Sequence, residues 1–546
     1  MAYKLRKHLK DHIDFVMYEK SPDLGGTWFE NRYPGCACDV PSHVYQFSFA
    51  PNPDWSQFFA SSAEIQAYLK RVAHDFDLER FVQYNTQVTH ALWREETGTW
   101  TIELNGQHKV ESEILVNAGG ILNNPQTPEI PGLSSFSGPQ LHTAAWNSRV
   151  NLEGKRIAVI GAGASSIQLL PQIQPLASHV DVYIRTPSWI TPPIGLEREA
   201  ESANPLYTEE EKTRFKQNAS YYLHVRKGLE SRFNGMFRAF VKNTTEQEAL
   251  RAELTKNMKT RIQDPVLQEK LIPKFEAGCR RMNPGEPYLG SLQKDNVCPV
   301  FDEISSITPQ GVVAGGTERT CDILILATGF NTSFRPRFPI IGRNGIDLQQ
   351  LWSETPTSYM GTGGLEATSD YFVRLLRKVV RQGVKAFDVR SEAQQDFDEH
   401  TQSVMQKMVW TGTCRSWFKM GINGKVTALW PGSSLHYMQT LAENRWEDYC
   451  WDYFNERFSY WGNGISWIED PEVDKLGVEE RSSMVESTTV PRRGQDISYY
   501  LWASDPLESA PAGNIPEAAV ETVLASYSND WKALQENPAV ETIIPV

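Results

Sequence analysis

The chain has no run of eighteen apolar residues, and its first twenty positions are rich in Lys, His and Asp without an apolar stretch. A membrane-spanning helix and a secretory leader are therefore not expected, and a soluble, cytoplasmic protein is. Positive charge is in deficit: 54 Lys and Arg against 67 Asp and Glu leave a net charge of −13. That argues against a nucleic-acid partner, because phosphate backbones are bound by concentrated cationic surface. Cysteine is sparse, seven in 546 residues and an odd number, so a disulfide framework is not expected and a reducing compartment is. Internal repeats and low-complexity blocks are lacking as well. What the chain does have is aromatic surface, 16 Trp, 20 Tyr and 24 Phe, which suits apolar pockets. Hydrophobic residues at 40% and charged residues at 22% are ordinary globular usage, and the length corresponds to two or three lobes at about 150 residues per domain.

Local pattern supplies the organisation. Residues 13–19 read as a buried strand ending in Glu19, followed by a loop from Ser21 to Asp39 rich in Gly, Pro and aromatics. Residues 99–104 and 113–118 are strand-like, the second ending in Asn117-Ala118-Gly119-Gly120, and a Pro-rich linker spans 123–138. Residues 200–270 are charged and helix-favouring, 365–410 are helical again, and 470–515 carry enough Pro, Ser and Asp to read as loop.

An apolar run from Lys155 to Ile160 feeds Gly161-Ala162-Gly163-Ala164-Ser165-Ser166 and then a helical pattern with Ile167, Leu169 and Leu170; a second strand, 179–185, follows. Strand, glycine turn, helix and strand form the context in which backbone amides and a helix N-terminus hold a pyrophosphate. Ser166, where the full pattern has Gly or Ala, is a departure, and a tight turn without a ligand is the plain alternative. Where an NAD-preferring site places an acid, this chain has Arg185-Thr186. A cation and a hydroxyl fit a 2′-phosphate and favour NADPH over NADH; an exposed arginine at a strand end is the plain alternative. A third apolar strand, from Cys321, ends in Ala327-Thr328-Gly329, where backbone can approach a ligand closely.

Two strings are more specific: Gly25-Gly26-Thr27-Trp28 with Tyr33-Pro34-Gly35 and Asp39, and Phe136-Ser137-Gly138 with His142 and Trp146. Together they resemble the fingerprints of the class B flavoprotein monooxygenases, in particular the Baeyer–Villiger monooxygenases, with Asn147 a departure at the end of the second. Gly278-Cys279-Arg280-Arg281 followed by Asp295-Asn296-Val297 is similar to the segment that carries the family's active-site arginine. The tail, from Cys414-Arg415-Ser416-Trp417 through Trp430, His436 and Tyr437 to Gly464, most resembles fungal members acting on polyketides or terpenoids.

The resemblance implies an α/β fold with two Rossmann-like dinucleotide-binding domains, for FAD and NADPH, and a helical insertion at about 200–270. The FAD domain is expected at 1–135, the NADPH domain at 136–325, and a second part of the FAD domain with the substrate pocket at 326–546. It also implies that one oxygen atom of O₂ enters beside a ketone carbonyl to give an ester or lactone. Such chemistry needs a cation beside developing negative charge in a water-poor pocket. Arg281 is the expected cation and Asp39 the acid that orients it, with Arg280 assisting at the cofactor. Expected cofactor contacts are Glu19, Gly26, Thr27, Trp28, Asp39 and Tyr45, then Gly161, Gly163, Ser165, Ser166, Arg185 and Thr186, then Ala327, Thr328 and Gly329. His142 reads as a cofactor or interdomain residue or as packing, and His436 as pocket wall or core. Cys36 and Cys38 are too few ligands for a metal site. Oxygenation of nitrogen or sulfur, and a scaffold without catalysis, are the competing readings.

Two departures from the family stand out. Only Met1 to His12 precede the strand at 13–19, and Ala2 to Leu9 looks like the end of a first helix, so a truncated FAD domain without its pyrophosphate turn is expected. After Met360-Gly361-Thr362-Gly363-Gly364 the chain passes directly to Leu365, without the aromatic strand and Gly-Pro-Asn segment usual there.

Overall fold

The computed structural model describes residues 1–196, 203–360, 365–420, 424–462 and 464. The join at 361–364 and the loop expected at 470–515 lie outside the described residues. The chain divides into two compact units, one of Met1, 15–371 and 389–449, the other of 2–14, 372–388 and 450–546.

The first unit is built on a five-stranded parallel sheet: β1 (Gln140–His142), β2 (Arg156–Ile160), β3 (His179–Tyr183), β4 (Val297–Val300) and β5 (Ile323–Leu326). Its order is β4-β3-β2-β5-β1, with Ile160 in register with Tyr183 on one side and Leu326 on the other. Continuous apolar runs are what a sheet covered on both faces requires. Ile157, Ala158 and Val159 are accordingly buried, as is every residue of β5. One face packs against Leu169, Leu170 and Ile173 of α1 (Ala164–Ile173) and against Leu254 and Met258 of a later helix. The other face is covered by Phe136 and by an antiparallel sheet, Ile304–Ile307, Gly311–Ala314 and Thr317–Thr320, through Ile307, Val312 and Ala314.

The helical insertion contains Glu209–Gln217, Ala219–Gly235, Thr245–Arg261 and Pro265–Leu271. Local chemistry sets where these helices begin. Thr208 and Glu211 form a reciprocal capping box, Asn218 and Thr244 cap the next two, and Asp264 caps the fourth with Pro265 at its first position. The stretch 365–410 contains two helices, Leu365–Gln382 and Ser391–Met405, with a strand, Val384–Val389, between them.

Two strand expectations need correction. Residues 13–19 form only a two-residue strand, Met17–Tyr18, paired in parallel with Val82–Gln83. Residues 113–118 are irregular, with Val116 exposed, although 99–104 is a strand as its alternation suggests. Composition alone does not make a strand: its N–H and C=O groups need a ladder partner, and among the described residues no strand stands beside 113–118. A disulfide framework was not expected, and among the described residues one disulfide is present, Cys279–Cys414, with Cα atoms 6.2 Å apart. Cys36, Cys38, Cys298, Cys321 and Cys450 are free. In the second unit, Leu5 and Leu9 of helix Ala2–Leu9 are buried, Phe387 stacks near Trp451 at 5.8 Å, and the Phe454 N–H donates to Gly383 O. No helix among the described residues is long and apolar enough to cross a membrane.

The two glycines after β2 have different tasks. Gly161 has φ 122°, and a Cβ there would lie 2.3 Å from the Ala327 carbonyl oxygen, whereas a Cβ on Gly163 would meet nothing within 4 Å. Gly161→Ala is expected to lower the unfolding free energy by about 1–3 kcal/mol. Gly163→Ala leaves it within about 0.5 kcal/mol; urea unfolding of the two variants compares them directly.

Candidate active site and nucleotide site

Asp39 and Arg281 meet across 242 residues of sequence in a bidentate pair, Arg281 Nε to Asp39 Oδ2 at 2.7 Å and Nη2 to Oδ1 at 2.7 Å. The Asp39 loop is fixed to α1. Tyr33 donates its hydroxyl proton to Gln168 Oε1 at 2.7 Å, and Gln168 Nε2 donates to Ala37 O at 2.8 Å. Gly35, at φ 81°, has no room for a side chain, since its Cβ would stand 2.5 Å from the Gln168 carbonyl oxygen. On the other side, Asn283 Nδ2 donates to Arg281 O at 3.0 Å, and Asn283 itself lies in a short strand beside Ile190–Thr191.

The Arg281 side chain lies within a dense shell of protein atoms yet keeps 46% of its surface open, against 23% for Asp39. Crowding opposes its charge, but the Asp39 charge and hydrogen bonds outweigh this and hold the guanidinium above the ordinary arginine value. Tyr45 and Cys38 share this neighbourhood. Burial pushes the Tyr45 phenol up, with the Cys38 charge adding, and pushes the Cys38 thiol up to about 12. Trp28 Nε1 donates to the Tyr45 hydroxyl at 3.2 Å, the two rings standing edge to face at 5.5 Å. Thr27 Oγ1 donates to Leu122 O at 3.1 Å, and Gly26 turns the chain at φ 49° ahead of the single helical turn Thr27–Glu30.

The Gly161 turn joins β2 to the N-terminus of α1, and the space beside Gly163 is open. Arg185 follows β3, exposed, with Thr186 next to it half-buried. The guanidinium of Arg280 is held below the ordinary arginine value, first by burial and then by the charge of Arg185. Two cations brought together against their repulsion are a fit for a bound phosphate. Ser166 is fully buried against Tyr288, so only its backbone can meet a ligand, and Ser165 lies beside Tyr33. Glu19 Oε1 accepts the N–H of Ser21 at 2.7 Å, leaving its second oxygen to a ribose. Among the described residues no glycine turn joins the Met17–Tyr18 strand to a helix.

At the end of β5 the side chains are committed inward. The Ala327 N–H donates to Ile160 O at 2.9 Å, Thr328 Oγ1 donates to Gln126 O at 2.6 Å, and Gly329 turns at φ 80° to accept the Gln126 N–H. His142 Nδ1 accepts the Ala144 N–H at 3.0 Å, which leaves Nε2 protonated to donate to Thr328 Oγ1 at 3.2 Å. Burial holds this imidazole below its usual value. His436 is exposed and accepts the Trp430 indole N–H at 2.9 Å, while Trp55 is fully buried in the core. Sequence reasoning missed Gln168 and Tyr33 as supports of the Asp39 loop; a lone Gln between Ile167 and Leu169 on an apolar helix was the available signal for the first.

A parallel sheet with a glycine turn at a helix N-terminus, two neighbouring arginines and an open guanidinium–carboxylate pair are the features of a nucleotide-binding α/β protein. Residues 3–339 match the family model described as flavin-binding monooxygenase-like. The chain belongs to that family and is a flavin-dependent monooxygenase. It is 37% identical over 518 residues to the FAD-binding monooxygenase moxY of Dothistroma septosporum, covering 88% of this chain and 81% of that one. It is 33% identical to a Baeyer–Villiger monooxygenase of Pseudomonas aeruginosa, covering 79% and 85%. Among solved structures, a closed form of cyclohexanone monooxygenase superposes with a TM-score of 0.72 at 25% identity, covering 83% and 96%. An oxidised steroid monooxygenase bound to NADP gives 0.70 at 25%, covering 83% and 97%.

His43 gives the Asp39 loop a pH dependence. It is buried, its Nδ1 lies 2.9 Å from the Tyr222 hydroxyl, and that hydroxyl donates to Asn52 O at 2.6 Å, so the imidazole is the donor. Burial and the Arg226 charge push its pKa down to about 3. Because the folded value is depressed, its contribution is complete above the unfolded value of about 6.5 and is lost as pH falls toward the folded one, at up to about 1.4 kcal/mol per pH unit. His43→Gln is expected to flatten the decline of unfolding free energy between about pH 6.5 and pH 4; parallel urea titrations with unchanged slopes would refute this.

Proposed function

We propose that the protein is a Baeyer–Villiger monooxygenase that uses FAD and NADPH in the cytoplasm to insert one oxygen atom of O₂ beside a ketone carbonyl of a bulky, apolar, polyketide- or terpenoid-like metabolite. The bidentate Asp39–Arg281 pair, open on one side, carries this reading. FAD, when bound, supplies the electron transfer and the activation of oxygen. The chain's own part is electrostatic and positional. Arg281, permanently charged, offers the N–H groups left free by Asp39 to oxygen atoms that gain negative charge during the reaction. Asp39 fixes the plane of that fork, so no reorientation is needed when charge develops. Tyr45 and Cys38 stay protonated and add no competing anion.

NADPH is assigned to the Gly161–Ser166 turn, with its 2′-phosphate between Arg185, Thr186 and Arg280. The division into an FAD part at 1–135, an NADPH part at 136–325 and a returning part from 326 onward is part of the same proposal. Glu19, Gly26, Thr27, Trp28 and Tyr45 are its flavin-side contacts, and the backbone of Ala327, Thr328 and Gly329 closes the nucleotide side.

Arg281→Ala is expected to lower ester formation from a ketone by about 100-fold or more, while NADPH oxidation continues and the consumed O₂ appears as hydrogen peroxide. Ester formation at an unchanged rate would overturn the reading. Retained oxygenation of an amine or thioether with no ester from any ketone would favour the nitrogen- or sulfur-oxygenating alternative. Arg185→Ala should raise KM for NADPH by about 10- to 100-fold, the loss of one charge-assisted phosphate contact, and leave KM for NADH nearly unchanged.

A further inference from the structure

We propose that the Cys279–Cys414 disulfide is a positioning cross-link that holds Arg280 and Arg281 in register with Arg185 and Asp39. The proposal rests on the assignment of those arginines to nucleotide and carbonyl, and it concerns residues that the reaction does not itself touch. Cys279 stands one residue before Arg280 and is fully buried; Cys414 is 2% exposed.

The segment around Cys414 is a fixed platform. The Lys242 N–H donates to Lys407 O at 2.8 Å, and Lys242 Nζ donates to Thr411 Oγ1 at 2.7 Å. The buried ammonium of Lys419 holds the Gly412 carbonyl, and Met405, Met408 and Val409 are buried beneath. Gly412 packs closely on the cross-link, since a Cβ there would lie 3.0 Å from the Val409 carbonyl oxygen and 3.1 Å from Cys279 Sγ.

The arginine segment is held mainly through side chains. Among the described residues, neither the Arg280 nor the Arg281 N–H makes a backbone hydrogen bond. It is held by the Gln247 amide on Ala277 O at 3.0 Å, the Cys279 N–H on Glu276 O at 3.2 Å, the Asn283 amide on Arg281 O, the Asp39 carboxylate on the Arg281 guanidinium, and the disulfide. Arg280 is meanwhile repelled by Arg185. A loop carrying a guanidinium toward a like charge relaxes away unless something restrains it, and the cross-link is a restraint one residue from Arg280. Reduction breaks the S–S bond, takes two electrons and two protons from a dithiol that becomes a disulfide, and leaves two thiols. Burial of both sulfurs makes this slow in a reducing compartment, so the bond acts as a standing constraint.

The test uses the full-length protein. Alkylation under denaturing, non-reducing conditions should label the five free cysteines and no more; labelling of all seven without reductant would overturn the cross-link on its own. Cys414→Ala, and the wild type reduced by dithiothreitol under native conditions, should each bind 2′,5′-ADP about tenfold more weakly by calorimetry, with 5′-AMP affinity unchanged. With a ketone present, both should release a larger fraction of oxidised NADPH as hydrogen peroxide. If the thermal midpoint falls while 2′,5′-ADP affinity and KM for NADPH stay at wild-type values, the disulfide is structural only and the proposal fails. If Cys414→Ala does not fold, the reduced wild type decides by the same measurements. Failure of the wild type to oxygenate any ketone would refute the proposed function and leave the 2′,5′-ADP comparison intact.

Discussion

The pairing of Arg281 with Asp39 is the constraint around which the first unit is arranged. An ion pair this open contributes about 0–1 kcal/mol to stability, so its geometry cannot come from its own attraction. It comes from what stands behind each partner. Asp39 sits on a loop clipped to α1 through Tyr33 and Gln168, and α1 is placed by β2. Arg281 is held through Asn283, a short parallel strand and the Cys279 cross-link. Three separate parts of the sequence thus converge on one guanidinium whose value to the fold is small. A protein that holds a weak pair so firmly is using it for orientation, which is the preorganisation that charge-stabilising sites require.

Electrostatics sharpen the same point. The chain as a whole carries −13, yet Arg185, which follows β3, and Arg280 stand close enough to repel one another. Arg280 is destabilised by burial and by its neighbour, an arrangement that an anion would relieve. Arg281 is stabilised by a carboxylate. Adjacent in sequence and alike in chemistry, the two arginines therefore sit in opposite settings: one faces a like charge, the other already has a counter-ion.

Much of this was legible in the sequence, and the exceptions share a cause. The apolar run into Gly161, the strand ending at Tyr183 and the helix-forming stretch between 209 and 271 are local signals, and the corresponding elements form where composition and spacing suggest. Arg281 and Asp39 could be named because each lies in a recognisable string, although nothing local says that they touch. The strand expected at 113–118 failed because a strand also needs a neighbour, which pattern within a segment cannot reveal. The Cys279–Cys414 bond was invisible for the same reason: an odd, sparse set of thiols gives no pairing, and 135 residues separate the two.

Gly161 and Gly163 show why a glycine pattern by itself says so little. Both read as one motif, but the first is required by the fold, since the chain turns there with positive φ against the Ala327 carbonyl, and the second is not, because its missing side chain opens onto empty space. A packing glycine and a ligand glycine have the same letter and the same spacing. What separates them is whether the volume denied to a Cβ is filled by the protein itself. Beside Gly163, at the N-terminus of α1, that volume is empty, the setting in which a helix N-terminus can accept an anion.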